Sequence, residues 1–330
     1  RVARLQQHAV GRRAHHQAIG RQALGADVAQ HGVAGSDAGC RETIDVFCAL
    51  LGSFAGNVAL VLGAVGIAGL LLRAGWPALA CDVDSGGQGL PHLVNQAFYE
   101  MMNSANQAWT MYPGLSHGAY ECLHVHGSDE QKQKYLPKMV EGIWTGTMNL
   151  TEPQAGSDVG ALRSTAKPLG DGKWSIKGTK IYISGGDHDL AENVVHLVLA
   201  RIEGAKAGTK GLSLFICPKF LVNDDGSLGA RNDVTCVSIE HKLGLHGSPT
   251  CVMAYGDKGG AQAELIGEPL QGLPHMFTMM NNARLTVGVQ GLGIAERATQ
   301  HAAHYARIRV QSAVVGAPPG ANLPILPHAD

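Results

Sequence analysis

The sequence predicts an α+β chain of several domains in the order helical, β, helical, on the strength of three observations. Helical patterning runs through residues 91–142, ending near Gly142. Extended apolar runs broken by turn residues fill 144–266. A long amphipathic stretch, free of proline after Pro274, then runs from Gln271 to about Gln311.

The 330 residues are 45% apolar, enough for the cores of two or three domains. Charge is balanced, with 26 basic and 27 acidic residues, and aromatics are 5%, so no basic stripe alternates with stacking residues and nucleic-acid binding is excluded. Seven cysteines show no Cys-x-x-Cys pair and no regular spacing. That argues against a disulfide framework or a structural zinc site and fits a reducing, cytoplasmic setting.

Residues 1–72 stand apart and are left unassigned. Arg1 to Cys40 is rich in Ala, Gly, His, Gln and Arg without a helical or strand period. Val46 to Leu72 carries no charge, and as a helix it is long enough for a bilayer core of about 30 Å. Three readings stand: a membrane anchor, a buried helix, or residues that are not natural sequence.

The first helical domain is expected over 73–143, with helices over about 91–111 and 116–126. Ser128 and Gln131 have the spacing of a capping box, and Asp129 and Glu130 favour the positive end of that helix. The β-domain is expected over 144–268 as about seven strands forming a barrel or sandwich. Asp171-Gly172 marks a hairpin, because both residues tolerate positive φ. Asn193 to Arg201 and Gly211 to Cys217 read as continuous, buried strands. Residues 269–330 hold the opening helix of a second helical domain, with prolines from Pro318 onward excluding further helix.

Three segments together resemble the acyl-CoA dehydrogenase family. The first runs from Gly127-Ser128-Asp129-Glu130-Gln131-Lys132 through Tyr135-Leu136-Pro137 to Thr151-Glu152-Pro153-Gln154-Ala155-Gly156-Ser157-Asp158. The second is Gly178-Thr179-Lys180-Ile181-Tyr182-Ile183-Ser184-Gly185-Gly186. The third is Asn282-Ala283-Arg284 followed by Tyr305-Ala306-Arg307-Ile308-Arg309-Val310-Gln311. The likeness covers about Arg73 to Asp330, and Glu240 to Thr250 with Met279 to Arg284 looks most like the branch acting on 3-methylmercaptopropionyl-CoA, in dimethylsulfoniopropionate catabolism.

The resemblance implies FAD-dependent α,β-dehydrogenation of an acyl-CoA, as in fatty-acid β-oxidation. The flavin takes a hydride, a carboxylate takes the α-proton, and an electron-transfer flavoprotein carries the electrons away. It further implies that Met148, Leu150 and Thr151 meet the isoalloxazine edge. Ser157 would serve flavin and CoA, and Asp158 and Arg284 the substrate. Tyr182, Ile183 and Ser184 would flank the flavin, where the family more often has Trp and Thr. Arg309 and Gln311 would reach a neighbouring subunit's FAD in a homodimer or homotetramer, although Ser312 stands where an aromatic residue is usual.

The family's usual catalytic glutamate falls beyond residue 330, and the alternative position just before the arginine is Ala283. No catalytic residue is therefore assigned, and this polypeptide alone is expected to be nearly inactive, since general-base catalysis supplies about 100- to 10,000-fold. The alternatives are a non-catalytic flavin- or CoA-binding remnant, or a flavin oxidase or monooxygenase on the same scaffold. Gly288, Gly291 and Gly293 are expected to serve helix packing, and Gly86-Gly87-Gln88-Gly89 lacks the lysine of a P-loop. His301 with His304, and Asp187-His188-Asp189, do not gather enough ligands, so no metal site is expected.

Overall fold

A computed structural model describes residues 75–313 and 322–324. The expectations for 1–72, including the apolar run Val46 to Leu72, lie outside these residues. Among the described residues no helix is long and apolar enough to cross a membrane.

Two short 3-10 turns, Trp76–Ala78 and Val83–Ser85, lead into helix α1, His92–His126. The gap expected between residues 111 and 116 is helical, and the interruption falls instead at Asn106, which leaves helical geometry at φ −154° and ψ 89°. Its Oδ1 accepts a hydrogen bond from the Trp109 N–H at 3.1 Å, so Asn106 caps a second arm while Pro113 stays inside it. The arms fold back on each other, bringing the rings of His92 and His117 within 6.0 Å. Helix α2, Asp129–Val140, begins with the expected capping box: Gln131 N–H donates to Ser128 Oγ at 3.2 Å, and Ser128 N–H to Gln131 Oε1 at 3.1 Å.

Ten strands follow rather than seven. They are β1 Trp144–Asn149, β2 Thr165–Gly170, β3 Lys173–Ser184, β4 Asn193–Ile202, β5 Leu212–Pro218, β6 Phe220–Val222, β7 Leu228–Arg231, β8 Val234–Ile239, β9 Thr250–Tyr255 and β10 Ala261–Leu265. The unforeseen β6, β7 and β10 are three to five residues long, too short to leave a period in the sequence. In the β2–β3 hairpin both Asp171 (φ 49°) and Gly172 (φ 71°) take the positive φ expected of them.

Strand β2 pairs with both β3 and β4, which closes β3–β2–β4–β5–β10 into a barrel. Strand β1 lies parallel to β4 outside this ring, and β9 and β8 extend it beyond β3. The continuous apolar runs now have a physical reason. On β4, Val198 and Ala200 point into the barrel with Phe215, while Val195, Leu197 and Leu199 join a second core with Leu123, Leu136 and Met279 of the helices. Strand β1 packs tightly on α1 at Gly146, where a β-carbon would lie 2.4 Å from that of Ala119.

Helix α3, Gly272–Ile308, lies along α1 and ends before the expected Gln311. Arg309 is extended, and the β-branched Val310 opens strand β11, Val310–Ala313, paired with β12, Asn322–Pro324. Of Gly288, Gly291 and Gly293 only Gly293 serves close packing, against the Glu100 carbonyl; Gly288 and Gly291 face open space. Leu285, Val287, Leu292 and Ile294 of α3 are exposed.

Candidate functional site

Three segments distant in sequence wall a cleft of about 390 Å³. Its size falls in the range of small-molecule pockets, roughly 300–1,000 Å³.

The first wall is the end of β1 and the turn after it: Met148, Leu150, Thr151, Gly156, Ser157 and Val159. Its footing is buried and polar. Thr147 Oγ1 lies 2.7 Å from His196 Nδ1, Asn149 Nδ2 donates to Thr147 Oγ1 at 2.9 Å, and Tyr255 OH donates to Asn149 Oδ1 at 2.8 Å. Burial holds the His196 imidazole neutral by pulling its pKa down to about 3.

The turn itself hangs on an ion pair. Lys180 Nζ donates to Glu152 Oε1 and to the Leu150 carbonyl, each at 2.9 Å. Glu152 Oε2 accepts from Arg163 N–H and Gln154 Nε2, each at 2.7 Å, and Oε1 accepts from Ser164 N–H at 3.1 Å. Burial on its own pushes the Glu152 carboxyl up, but the Lys180 charge and these donors outweigh it and bring the pKa to about 2. Burial lowers the Lys180 amine to about 8, against the pull of Glu152. The glutamate of the Thr-Glu-Pro turn is therefore an anchor for the backbone on either side of Thr151, and not a group that faces a ligand.

The second wall is Ile181, Tyr182 and Ile183. Ile181 N–H donates to the Thr151 carbonyl at 2.9 Å, which binds the two walls together. The β3–β9 register slips between Lys180 and Ile183, and in this bulge Tyr182 adopts φ 61°. That left-handed backbone costs a tyrosine about 1–3 kcal/mol. It also leaves the residue 62% exposed at the cleft.

The third wall is one stripe of α3: Leu273, Phe277, Met280 and Arg284. Their spacing of four, three and four residues puts them on a single helix face. Arg284 Nη1 donates to Asn281 Oδ1 at 2.8 Å, and its guanidinium sits 5.3 Å from the Phe277 ring centre. Among the described residues no carboxylate pairs with Arg284, and no Asp or Glu lines the cleft.

Met148, Leu150, Thr151, Ser157, Tyr182, Ile183 and Arg284 are thus brought together from the expected set. Asp158 is outside the lining; its side chain accepts from Gly160 N–H at 3.0 Å within its own turn. Ser184 is also outside, half-buried at the end of β3. Arg309 is exposed just past α3, and the Gln311 side chain lies outside the described residues. The sequence reading missed Lys180 as an anchor and the Leu273, Phe277 and Met280 face of α3. Asp187 pairs with Lys219 at 2.6 Å and His188 Nε2 lies 3.1 Å from Thr145 Oγ1, so this acidic-histidine stretch is engaged in packing.

The family description "Acyl-CoA dehydrogenase, N-terminal domain" matches residues 66–143, and "Acyl-CoA dehydrogenase, middle domain" matches 147–257, together more than half of the chain. The chain belongs to the acyl-CoA dehydrogenase family. It is 51% identical over 256 residues to 3-methylmercaptopropionyl-CoA dehydrogenase of Ruegeria pomeroyi, covering 78% of this chain and 43% of that protein. Butyryl-CoA dehydrogenase from Megasphaera elsdenii superposes with a TM-score of 0.64 at 25% identity, covering 79% of this chain and 63% of that one. An acyl-CoA dehydrogenase from Bacillus anthracis, solved with FAD, gives 0.64 at 26% identity, covering 75% and 39%. The chain spans about two fifths of the length of four curated acyl-CoA dehydrogenases it matches. Residues 4–77 also match a family described as Glucokinase, and almost all of that stretch lies outside the described residues.

Proposed function

We propose that this chain builds the flavin and thioester walls of an FAD-dependent acyl-CoA dehydrogenase. The observation that carries the reading is the meeting of Thr151, Ser157, Tyr182 and Arg284 at one cleft. The residues suit a flavin: an apolar bed of Met148, Leu150 and Ile183, hydroxyls on Thr151 and Ser157, and an exposed aromatic ring. Bound there, FAD would supply the hydride acceptor for the substrate β-carbon.

The cleft residues bind and orient. Thr151 and Ser157 orient the polar rim of the ring system, and Lys180 keeps their turn fixed from behind. Arg284 pairs with a CoA phosphate oxygen, and the α3 stripe shields the acyl chain from water. The proton-abstracting carboxylate comes from a segment other than these three walls. By the 51% relative, 3-methylmercaptopropionyl-CoA or another short acyl-CoA is the substrate. Electrons leave to an electron-transfer flavoprotein, in the cytoplasm. The exposed apolar residues Leu285, Val287, Leu292 and Ile294 fit a homo-oligomer packed along α3.

The test is anaerobic titration of the FAD-loaded protein with short acyl-CoAs. Bleaching of the flavin, reversed by an artificial acceptor, supports a dehydrogenase. Bleaching that oxygen reverses with stoichiometric peroxide indicates an oxidase. Tight FAD binding with no bleaching indicates a binding remnant.

A further inference from the structure

The hairpin of α1 assembles a second site that none of the cleft residues shares. His92, at the start of the first arm, meets His117 and Glu121, one turn apart on the second arm. The ligand atoms of all three lie within 4.8 Å of one another. His117 Nε2 is 3.5 Å and His92 Nε2 is 3.9 Å from the same carboxylate oxygen, Glu121 Oε1. Ligands at about 2.0–2.1 Å from a tetrahedral ion stand roughly 3.3–3.4 Å apart. Both separations from Glu121 Oε1 are close to that value.

A second observation points to a ligand. His117 is 4% exposed, and its Nε2 has no hydrogen-bond partner. A buried ring nitrogen without a partner is costly unless something fills the place. The other nitrogen, Nδ1, lies 3.7 Å from Cys81 Sγ. When Nδ1 carries the proton and donates it to that sulfur, the Nε2 lone pair faces the Glu121 oxygen. Two electron-rich atoms then oppose each other across 3.5 Å, which is the arrangement a cation relieves. Metal-bound histidines characteristically donate their other N–H to a neighbouring group in this way. Burial also keeps His117 neutral, the ligating form, by lowering its pKa to about 4.

We propose that His92, His117 and Glu121 bind a divalent first-row transition ion, Zn²⁺ in particular, that clamps the two arms of α1 together. Two imidazoles and one carboxylate suit zinc and leave a fourth position for water. His92 is largely exposed, so the ion enters from solvent. The clamp sits away from the cleft lining and is independent of the proposed dehydrogenation.

The test uses the full chain, stripped with a chelator and titrated with ZnCl₂ against a chromophoric competitor. One site is expected in the unmodified protein. His92→Ala, a change at an exposed side chain, is expected to weaken it at least ten-fold, and Glu121→Gln likewise. Circular dichroism of each metal-free variant confirms the fold, and His92→Ala alone suffices if Glu121→Gln does not fold. Zn²⁺ should raise the melting temperature of the unmodified protein and not that of His92→Ala. With Co²⁺, intense visible bands of a four-coordinate site should appear only in the unmodified protein. Zinc binding of equal strength in His92→Ala would assign it to others of the sixteen histidines and overturn the proposal, as would no stoichiometric binding at all.

Discussion

Lys180 Nζ and Glu152 Oε1 lie 2.9 Å apart, with the two side chains 0% and 3% exposed. The same ammonium also reaches the Leu150 carbonyl at 2.9 Å, so one buried charge holds a strand end and a turn in a single geometry. Leu150, one of the two points held, and Thr151 between them both line the cleft.

Lys180→Met should therefore cost about 3–5 kcal/mol, because Glu152 is left buried without its counter-charge. The double variant with Glu152→Gln should recover part of that loss. Urea unfolding measures both, and a Lys180→Met change under about 1 kcal/mol would contradict the assigned role.

Stability should fall in two stages as pH is lowered. His196 and His117 are held neutral by burial, at about 3 and 4. Their stabilisation is complete above the unfolded value near 6.5 and is lost as pH falls toward the folded values. Glu152 is depressed to about 2, so its share is complete above 4.5 and disappears as pH falls toward 2. Melting temperature should begin to drop below about pH 6.5 and drop more steeply below about 4.5. A flat profile down to pH 5 would contradict the histidine part.

At the bulge, Tyr182→Gly removes the left-handed strain while adding backbone freedom to the unfolded chain. The strain relieved is about 1–3 kcal/mol and the entropic cost about 0.4–1 kcal/mol, so stability without cofactor should stay constant or rise slightly. FAD retention should weaken measurably. A large loss of cofactor-free stability would mean that the ring supports the fold and not the cleft.

Arg284→Ala should weaken acyl-CoA binding by roughly ten- to hundred-fold, the range of a charge-assisted hydrogen bond. Arg284→Lys should restore only part of it, since an ammonium lacks the planar fork. Free CoA should show the same loss in calorimetric titration, and unchanged CoA affinity would remove Arg284 from the thioester path.

The capping box at Ser128, the Asp171-Gly172 hairpin and the buried β4 and β5 were all legible, because each rests on local chemistry or a sustained period. Resemblance named seven of the cleft residues, from Met148 to Arg284, but not the Leu273, Phe277 and Met280 stripe of α3. The break in α1 falls before the gap expected between residues 111 and 116, because an asparagine side chain that caps the following arm leaves no mark on the apolar pattern. Lys180 looked like one more charged residue on an alternating strand until its burial was visible. The His92, His117 and Glu121 cluster was hidden for a topological reason: the hairpin at Asn106 brings together residues 25 or more positions apart.

Strand β4 has one face in each of two cores. An isolated barrel would bare Val195, Leu197 and Leu199 to water, and the helices without it would lose the surface they rest on. The seam between the two matched domains, at residues 143–147, is thus a boundary of ancestry and not of cooperativity. Heating should melt both in a single calorimetric transition.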